Sequence, residues 1–354
     1  MAAKSLAALF LLVSSAQAAI AFDLQGHRGA RGLWPENTLP AFEAAIGIGV
    51  TTLETDLALT KDGILILSHE PFPNPDLTRD RSGSFLLQPG PPFRTLNFAD
   101  TQTLDVGRLN PATRYAALWP DQKPVDGTRL PRLSDLFALA SRLAPSIRFN
   151  IETKISPDVD DTVPYDVMTT KLVEAIEANH LESRAMIQSF DWRTIRLAKQ
   201  LDDSIETVAL VWQFGGDPTA TDHCLTKTDE CSLEAKIGDP TLTSTWTGGL
   251  DWWDFQDLGA LVRAAGADVV SANWQVHDPD QGVRNSTNDY LIEDPAIYHG
   301  PSVQVLQQRD GLRVVPYTVD DAATMQRVVD LGVNGIISDD VDLLILVAQR
   351  NGLR

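Results

Sequence analysis

Glu54 and Asp56 stand two residues apart in the strand-like run 51–57, and Asn150, Glu152 and Lys154 repeat that spacing in the run 147–154. Side chains alternate faces along an extended chain, so each set projects to one side of its strand. Three carboxylates meeting at one mouth repel one another unless a proton or a cation intervenes. A divalent ion relieves that repulsion. An all-oxygen set suits a hard ion such as Ca²⁺ or Mg²⁺, whereas zinc recruits nitrogen and sulfur. Of six histidines, only His27 and His69 stand where two strand-like runs end. Two imidazoles beside a metal can divide acid and base work near neutral pH. Arg28 and Lys154 add fixed positive charge suited to phosphate oxygens. Taken singly, a strand-end Glu is commonly surface charge and a His commonly a hydrogen-bonded structural residue. Convergence of three acids, two histidines and two cations on one place is what favours chemistry.

The elements that must bring them together follow from the pattern. Strand-like runs at 22–26, 51–57, 147–154, 185–190, 207–212, 268–272, 313–318 and 335–338 alternate with helical-period segments, the mark of repeated βα units around a parallel sheet. Eight such units predict a (β/α)8 TIM barrel, with the site at the carboxyl ends of its strands. Thr38 can cap a helix over 39–48, Ser134 stands at the start of one reaching Leu143, and a third over 321–331 stops at Gly332. The run 64–69 follows Thr60-Lys61-Asp62-Gly63, and Asp-Gly between alternating segments reads as a tight hairpin. That run is therefore expected antiparallel beside the second strand and not as a ninth barrel strand. Two insertions, about 71–130 after the hairpin and 213–250 after the fifth strand, are rich in Pro, Gly, Asp and Thr. They are expected to shape a pocket above the barrel mouth.

Composition narrows the partners. A short positive start, an apolar run and Ala16-Gln17-Ala18 match a secretory signal peptide over residues 1–18. The remainder, 19–354, is expected as one exported domain, periplasmic or secreted. Its later apolar runs fall short of the roughly 20 residues a membrane helix needs, so stable membrane insertion is not expected. With 43% hydrophobic and 22% charged residues the chain is ordinarily globular, and a net charge of −19 argues against nucleic acid or anionic lipid as partner. The oligomeric state is not legible. Cys224 and Cys231 are the only cysteines, and in an oxidising compartment they are expected to form a disulfide.

The residues also carry a family likeness. His27-Arg28-Gly29-Ala30, Pro35-Glu36-Asn37-Thr38, Glu54-Thr55-Asp56-Leu57 and Ser68-His69, then Asn150-Ile151-Glu152-Thr153-Lys154, Gln188-Ser189-Phe190-Asp191 and the stretch 332–339, resemble the signature of glycerophosphodiester phosphodiesterases. The resemblance spans nearly all of 19–354. It implies a barrel enzyme in which His27 and His69 are acid and base, Glu54, Asp56 and Glu152 bind the metal, and Arg28 and Lys154 contact phosphate. It further implies a small glycerophosphodiester as substrate, with Gln188 among its contacts, a cyclic phosphate intermediate, and glycerol 3-phosphate and an alcohol as products. Glu70 departs from the Asp usual after the second histidine, and Pro316-Tyr317-Thr318 from the usual Trp-Thr pair; the latter alters the pocket wall. Trp274, after the sixth strand, is a candidate apolar wall for glycerol, or a rim packing residue. Glu36 and Asn37 are candidates to brace the Arg28 loop. Two rival functions remain: a phospholipase D-like enzyme acting on sphingomyelin or lysophospholipid, and a non-catalytic phosphate-ester binding protein.

Overall fold

The computed structural model describes residues 21–157, 159–211, 246–250, 252–255, 257–274 and 301–354. The expected signal peptide, the cysteine pair and nearly all of the second insertion lie outside the described residues. Among the described residues nine strands are formed: β1 Asp23–Gly26, β2 Thr52–Leu59, β3 Leu65–Leu67, β4 Arg148–Thr153, β5 Ala185–Ser189, β6 Glu206–Val211, β7 Val269–Ala272, β8 Arg313–Val314 and β9 Gly335–Ser338. Eight are parallel in the order β8-β7-β6-β5-β4-β2-β1-β9, and β3 pairs with β2 alone. Backbone hydrogen bonds from Asn334 N to Val314 O (2.8 Å), Ile337 N to Pro316 O (3.1 Å) and Val319 N to Ile337 O (3.1 Å) join the two ends. The result is the expected (β/α)8 barrel, with helices such as Leu39–Ile48, Tyr165–Ala178 and Val341–Arg350 outside it. No helix among the described residues is long and apolar enough to cross a membrane.

The local reasons are visible in the sequence. Thr38 caps its helix by accepting from Ala41 N, and Asp321 caps the helix Ala322–Asp330. Leu57, Ala58 and Leu59 pair antiparallel with Leu67, Ile66 and Leu65, the hairpin predicted from Asp62-Gly63. The strand expected over 313–318 is a correction: the regular strand covers only Arg313–Val314, although Val315 N and Tyr317 N still donate to Val270 O (3.1 Å) and Ala272 O (3.0 Å) of β7. The N–H that Pro316 lacks belongs to the side facing β9, where it interrupts regular pairing, and Tyr317 makes a single parallel bridge to Asn273. The insertion 71–130 is not structureless. Its Phe93, Val106 and Leu130 bury against Ala58 and Ile66 of the hairpin, and it carries the helices Phe98–Thr101 and Arg114–Leu118.

Inside the barrel the strands divide by chemistry. Met186, Val208, Val269, Val315 and Ile337 form an apolar cluster, while Gln25, Glu54, Asn150 and Gln188 bring buried polar groups. Register aligns Glu54 with Asn150, Asp56 with Glu152, and Glu152 with Gln188. The acids of two strands thus share one layer.

Candidate active site

His27 and Arg28 lie in the turn that ends β1. Arg28 and Gly29 adopt left-handed conformations (φ 50° and 90°), and a Cβ at Gly26 would collide with the Gly29 carbonyl, so the turn is tight and needs its glycines. It aims the Arg28 backbone N–H at Glu54 Oε2 (2.8 Å). His27 Nδ1 meets Asp339 Oδ1 at 2.9 Å, and its Nε2 lies 3.9 Å from Glu54 Oε2. Across the mouth, His69 follows β3. Its Nδ1 meets Glu70 Oε1 at 2.8 Å, and its Nε2 is 3.1 Å from Lys154 Nζ.

Between them sit Glu54, Asp56 and Glu152. All three are buried, and each offers an oxygen within 4.8 Å of the others. Gln188 Nε2 donates to Glu54 Oε1 (2.6 Å), Asn37 Nδ2 to Asp56 Oδ2 (2.8 Å), and Lys154 Nζ to Glu152 Oε1 (2.8 Å). Asp56 Oδ1 is buried with no hydrogen-bond partner. A buried carboxylate oxygen without a donor is costly unless something else satisfies it. Its position among two further carboxylates fits a hard cation.

The electrostatics agree. Burial, reinforced by Asp56, pushes Glu54 well above the ordinary carboxylate range. Burial likewise raises Glu152 to about 7, with Lys154 opposing and Asp56 adding to the shift. Burial would raise Asp56 too, but Arg28, His69 and Lys154 outweigh it and hold that carboxyl low. Burial thus disfavours the charged forms of Glu54 and Glu152, a cost that a divalent ion among them would offset. Burial brings His27 down to about 4, Arg31 and Arg28 adding to the effect and Asp339 opposing it. His69 is lowered by burial, then by Arg28 and Lys154.

A family profile described as "Glycerophosphoryl diester phosphodiesterase family" matches residues 27–343, a span that includes every side chain of this cluster. The chain belongs to that family. A glycerophosphodiester phosphodiesterase of Caldanaerobacter subterraneus subsp. tengcongensis is 24% identical over 92% of this chain and 97% of its own. One of Bacillus subtilis is 25% identical over 90% and 83%. Among solved structures, one from Silicibacter pomeroyi DSS-3, described as a "Putative glycerophosphoryl diester phosphodiesterase", superposes with TM-score 0.71 at 24% identity, covering 94% of both chains. An Oleispira antarctica phosphodiesterase, solved in complex with the product sn-glycerol-3-phosphate, gives TM-score 0.60 at 15% identity, covering 93% of this chain and 97% of that one.

In this family member the expected site residues are distributed as follows. His27, His69, Arg28, Lys154, Glu54, Asp56 and Glu152 converge. Arg28 is engaged with Glu36 Oε1 through Nη1 (2.6 Å) and lies beside Asp56, Nε to Oδ2 3.2 Å. Glu36 and Asn37 do brace that loop, Asn37 N also donating to Arg28 O (3.0 Å). Gln188, expected to touch substrate, is buried and bonded to Glu54 and Asn150. Trp274 packs into an apolar cluster with Val211, Ala272 and Val319. A different aromatic pair, Phe190 edge-on to Tyr317 at 6.1 Å, stands by Lys154, whose Nζ is 6.0 Å from the Phe190 centroid.

Sequence reasoning assigned no role to Asp339, Arg31 or Tyr115. Asp339 directly follows β9 and takes His27 Nδ1 together with a two-pronged contact from Arg31, Nε to Oδ1 2.6 Å and Nη2 to Oδ2 2.5 Å. The rule that found Glu54 and His27, a polar residue at the carboxyl end of a barrel strand, would have found Asp339. Tyr115 lies in the insertion and carries no local signal.

Proposed function

We propose that this chain hydrolyses glycerophosphodiesters to glycerol 3-phosphate and an alcohol, with a divalent ion, Ca²⁺ or Mg²⁺, held by Glu54, Asp56 and Glu152. The observation that carries the reading is the pairing of two histidines across a buried carboxylate triad, each with Nδ1 on a carboxylate and Nε2 facing inward. Family membership and the named activity of relatives aligned over most of their length support it. So does the product named in the Oleispira antarctica complex. When bound, the ion supplies positive charge where negative charge grows on the phosphoryl oxygens.

The residues divide the remaining work. Donation from Nδ1 to Asp339 leaves the His27 Nε2 lone pair free to take a proton, and His69 is arranged the same way on Glu70. One imidazole removes the proton of the glycerol hydroxyl next to the phosphoester. That oxygen attacks phosphorus, and the other imidazole, protonated, gives its proton to the departing alcohol. The cyclic phosphate is then opened by water with the two roles exchanged, which restores both histidines. Internal attack gains from the high effective concentration of a neighbouring hydroxyl. Arg28 and Lys154 hold phosphate oxygens, Lys154 turning from His69 to do so.

The test is release of glycerol 3-phosphate from several glycerophosphodiesters, with and without added Ca²⁺ or Mg²⁺, beside an analogue whose neighbouring hydroxyl is replaced by hydrogen. The analogue is expected to bind and turn over poorly. Equal turnover would eliminate internal attack, and absence of turnover on every diester would eliminate the function. The reading includes export with removal of residues 1–18, so sequencing of the exported protein is expected to begin near Ala19.

A further inference from the structure

One hydroxyl connects the two halves of the site, and it comes from the insertion. Tyr115 Oη accepts from Arg31 Nη1 (3.1 Å) and donates to Glu36 Oε2. On one side Arg31 grips Asp339, which holds His27. On the other, Glu36 holds Arg28, whose guanidinium borders Asp56. An unbroken chain of polar contacts thus runs from a histidine to a carboxylate of the triad, and every member except Tyr115 belongs to the barrel or to the loop after β1.

The insertion is fastened where it makes this contact. The Trp119 ring lies under the Arg31 guanidinium at 4.6 Å, Gln122 Nε2 donates to Arg31 O (2.9 Å), and Lys123 N donates to Leu33 O (2.8 Å). The phenol ties together two groups that are each anchored elsewhere: a planar guanidinium whose Nε and Nη2 fork onto Asp339, and a carboxylate whose Oε1 holds Arg28 Nη1.

We propose that Tyr115 is a positioning residue that sets Arg28 and the His27–Asp339 pair in one mutual orientation, which makes the insertion a working part of the site as well as its roof. The proposal rests on the phosphodiesterase reading above. Orientation matters to turnover more than to ground-state binding, because misplacement by about an ångström can cost 100-fold. Removal of the hydroxyl alone, Tyr115→Phe, is expected to lower kcat by about 10-fold or more with KM changed by less than about 3-fold. The half-buried ring stays, so the chain is expected to remain folded, with a lower melting temperature because the buried Glu36 Oε2 and Arg31 Nη1 each lose a partner.

Three comparisons decide the matter, all on the full chain with the divalent ion present. Arg108→Ala, which removes an exposed ion pair with Asp126 elsewhere in the insertion, is expected to leave kcat unchanged. Arg31→Lys is expected to lower kcat, and Tyr115→Phe in that background to add little, since both interrupt one chain. Tyr115→Trp, bulky without a phenol oxygen, is expected to be no better than Tyr115→Phe. Wild-type kcat in Tyr115→Phe, or full additivity with Arg31→Lys, would overturn the relay while leaving the phosphodiesterase reading intact. A wild-type enzyme inactive on every glycerophosphodiester would overturn that reading, and the proposal with it.

Discussion

The two histidines differ in their partners but share the property that sets their chemistry: each commits Nδ1 to a carboxylate and turns Nε2 inward. His27→Ala and His69→Ala are each expected to lower turnover by at least about 100-fold with the fold intact, the usual scale of a general acid or base. Circular dichroism beside a turnover assay checks this, and a variant keeping a tenth of wild-type activity would remove that histidine from the mechanism. The carboxylate triad makes a separate demand. Exhaustive chelation is expected to abolish activity, restored by Ca²⁺ or Mg²⁺, and Glu152→Gln should not be rescued by either ion. Activity persisting in protein verified free of metal would exclude the ion from the reaction. These residues were legible because each is a polar group where a strand should be apolar. Gln188 was legible only as part of a motif, and the sequence does not say which way its amide faces.

At the scale of the strands, an interior line of amides links the triad to the far end of the barrel. Gln188 Nε2 holds Glu54; Asn150 Nδ2 donates to both Gln188 Oε1 (2.9 Å) and Gln25 Oε1 (2.8 Å); and Gln25 Nε2 reaches Asp23 Oδ2 (2.9 Å). Each link crosses from one strand to another except the last, which stays within β1. Groups that orient a metal ligand typically contribute about 10- to 100-fold in affinity. Gln188→Leu is therefore expected to weaken divalent-ion binding by about 10-fold or more, measured by calorimetry on the protein without substrate. If ion affinity is unchanged and KM alone rises, Gln188 contacts substrate and the bracing role is wrong. The alternation of strands and helices was readable from periodicity, and the hairpin from Asp62-Gly63. Where the reading over-extended, at 313–318, the cause was a proline inside an apolar run. Where it fell short, in the insertion, the fold depends on Phe93, Val106 and Leu130 finding Ala58 and Ile66, contacts that no local period announces.

For the molecule as a whole, Asp339 is where the first and last strands are locked together. It sits directly after β9, and its partners His27 and Arg31 follow β1, more than 300 residues away in sequence. The β1–β9 ladder is short, Asp23–Gly26 against Gly335–Ser338, so this buried ion pair reinforces the junction between the first and last strands of the chain. Removing one charge of such a pair leaves the other uncompensated, and Asp339→Asn is expected to lower stability by about 3 kcal/mol or more. The pH dependence follows from the direction of its shift. Burial alone would raise the Asp339 carboxyl, but Arg31 and His27 outweigh burial and hold it below the ordinary value of 3.8. The unfolded chain therefore binds this proton more tightly than the folded one. The contribution is complete above the unfolded value and is lost as pH falls through the lower folded value. Urea unfolding of wild type and Asp339→Asn at a series of pH values should show a constant gap from neutrality down to about 4 and a narrowing gap below it. Groups remote from Asp339 cancel in that difference; its neighbours His27 and Asp320, which it shifts directly, do not, so the comparison is repeated in His27→Ala and Asp320→Asn backgrounds. A gap that closes already near pH 6 would mean that a histidine, not Asp339, carries the pH dependence of this junction, and no gap at any pH would mean that the β1–β9 ladder alone holds the two strands together.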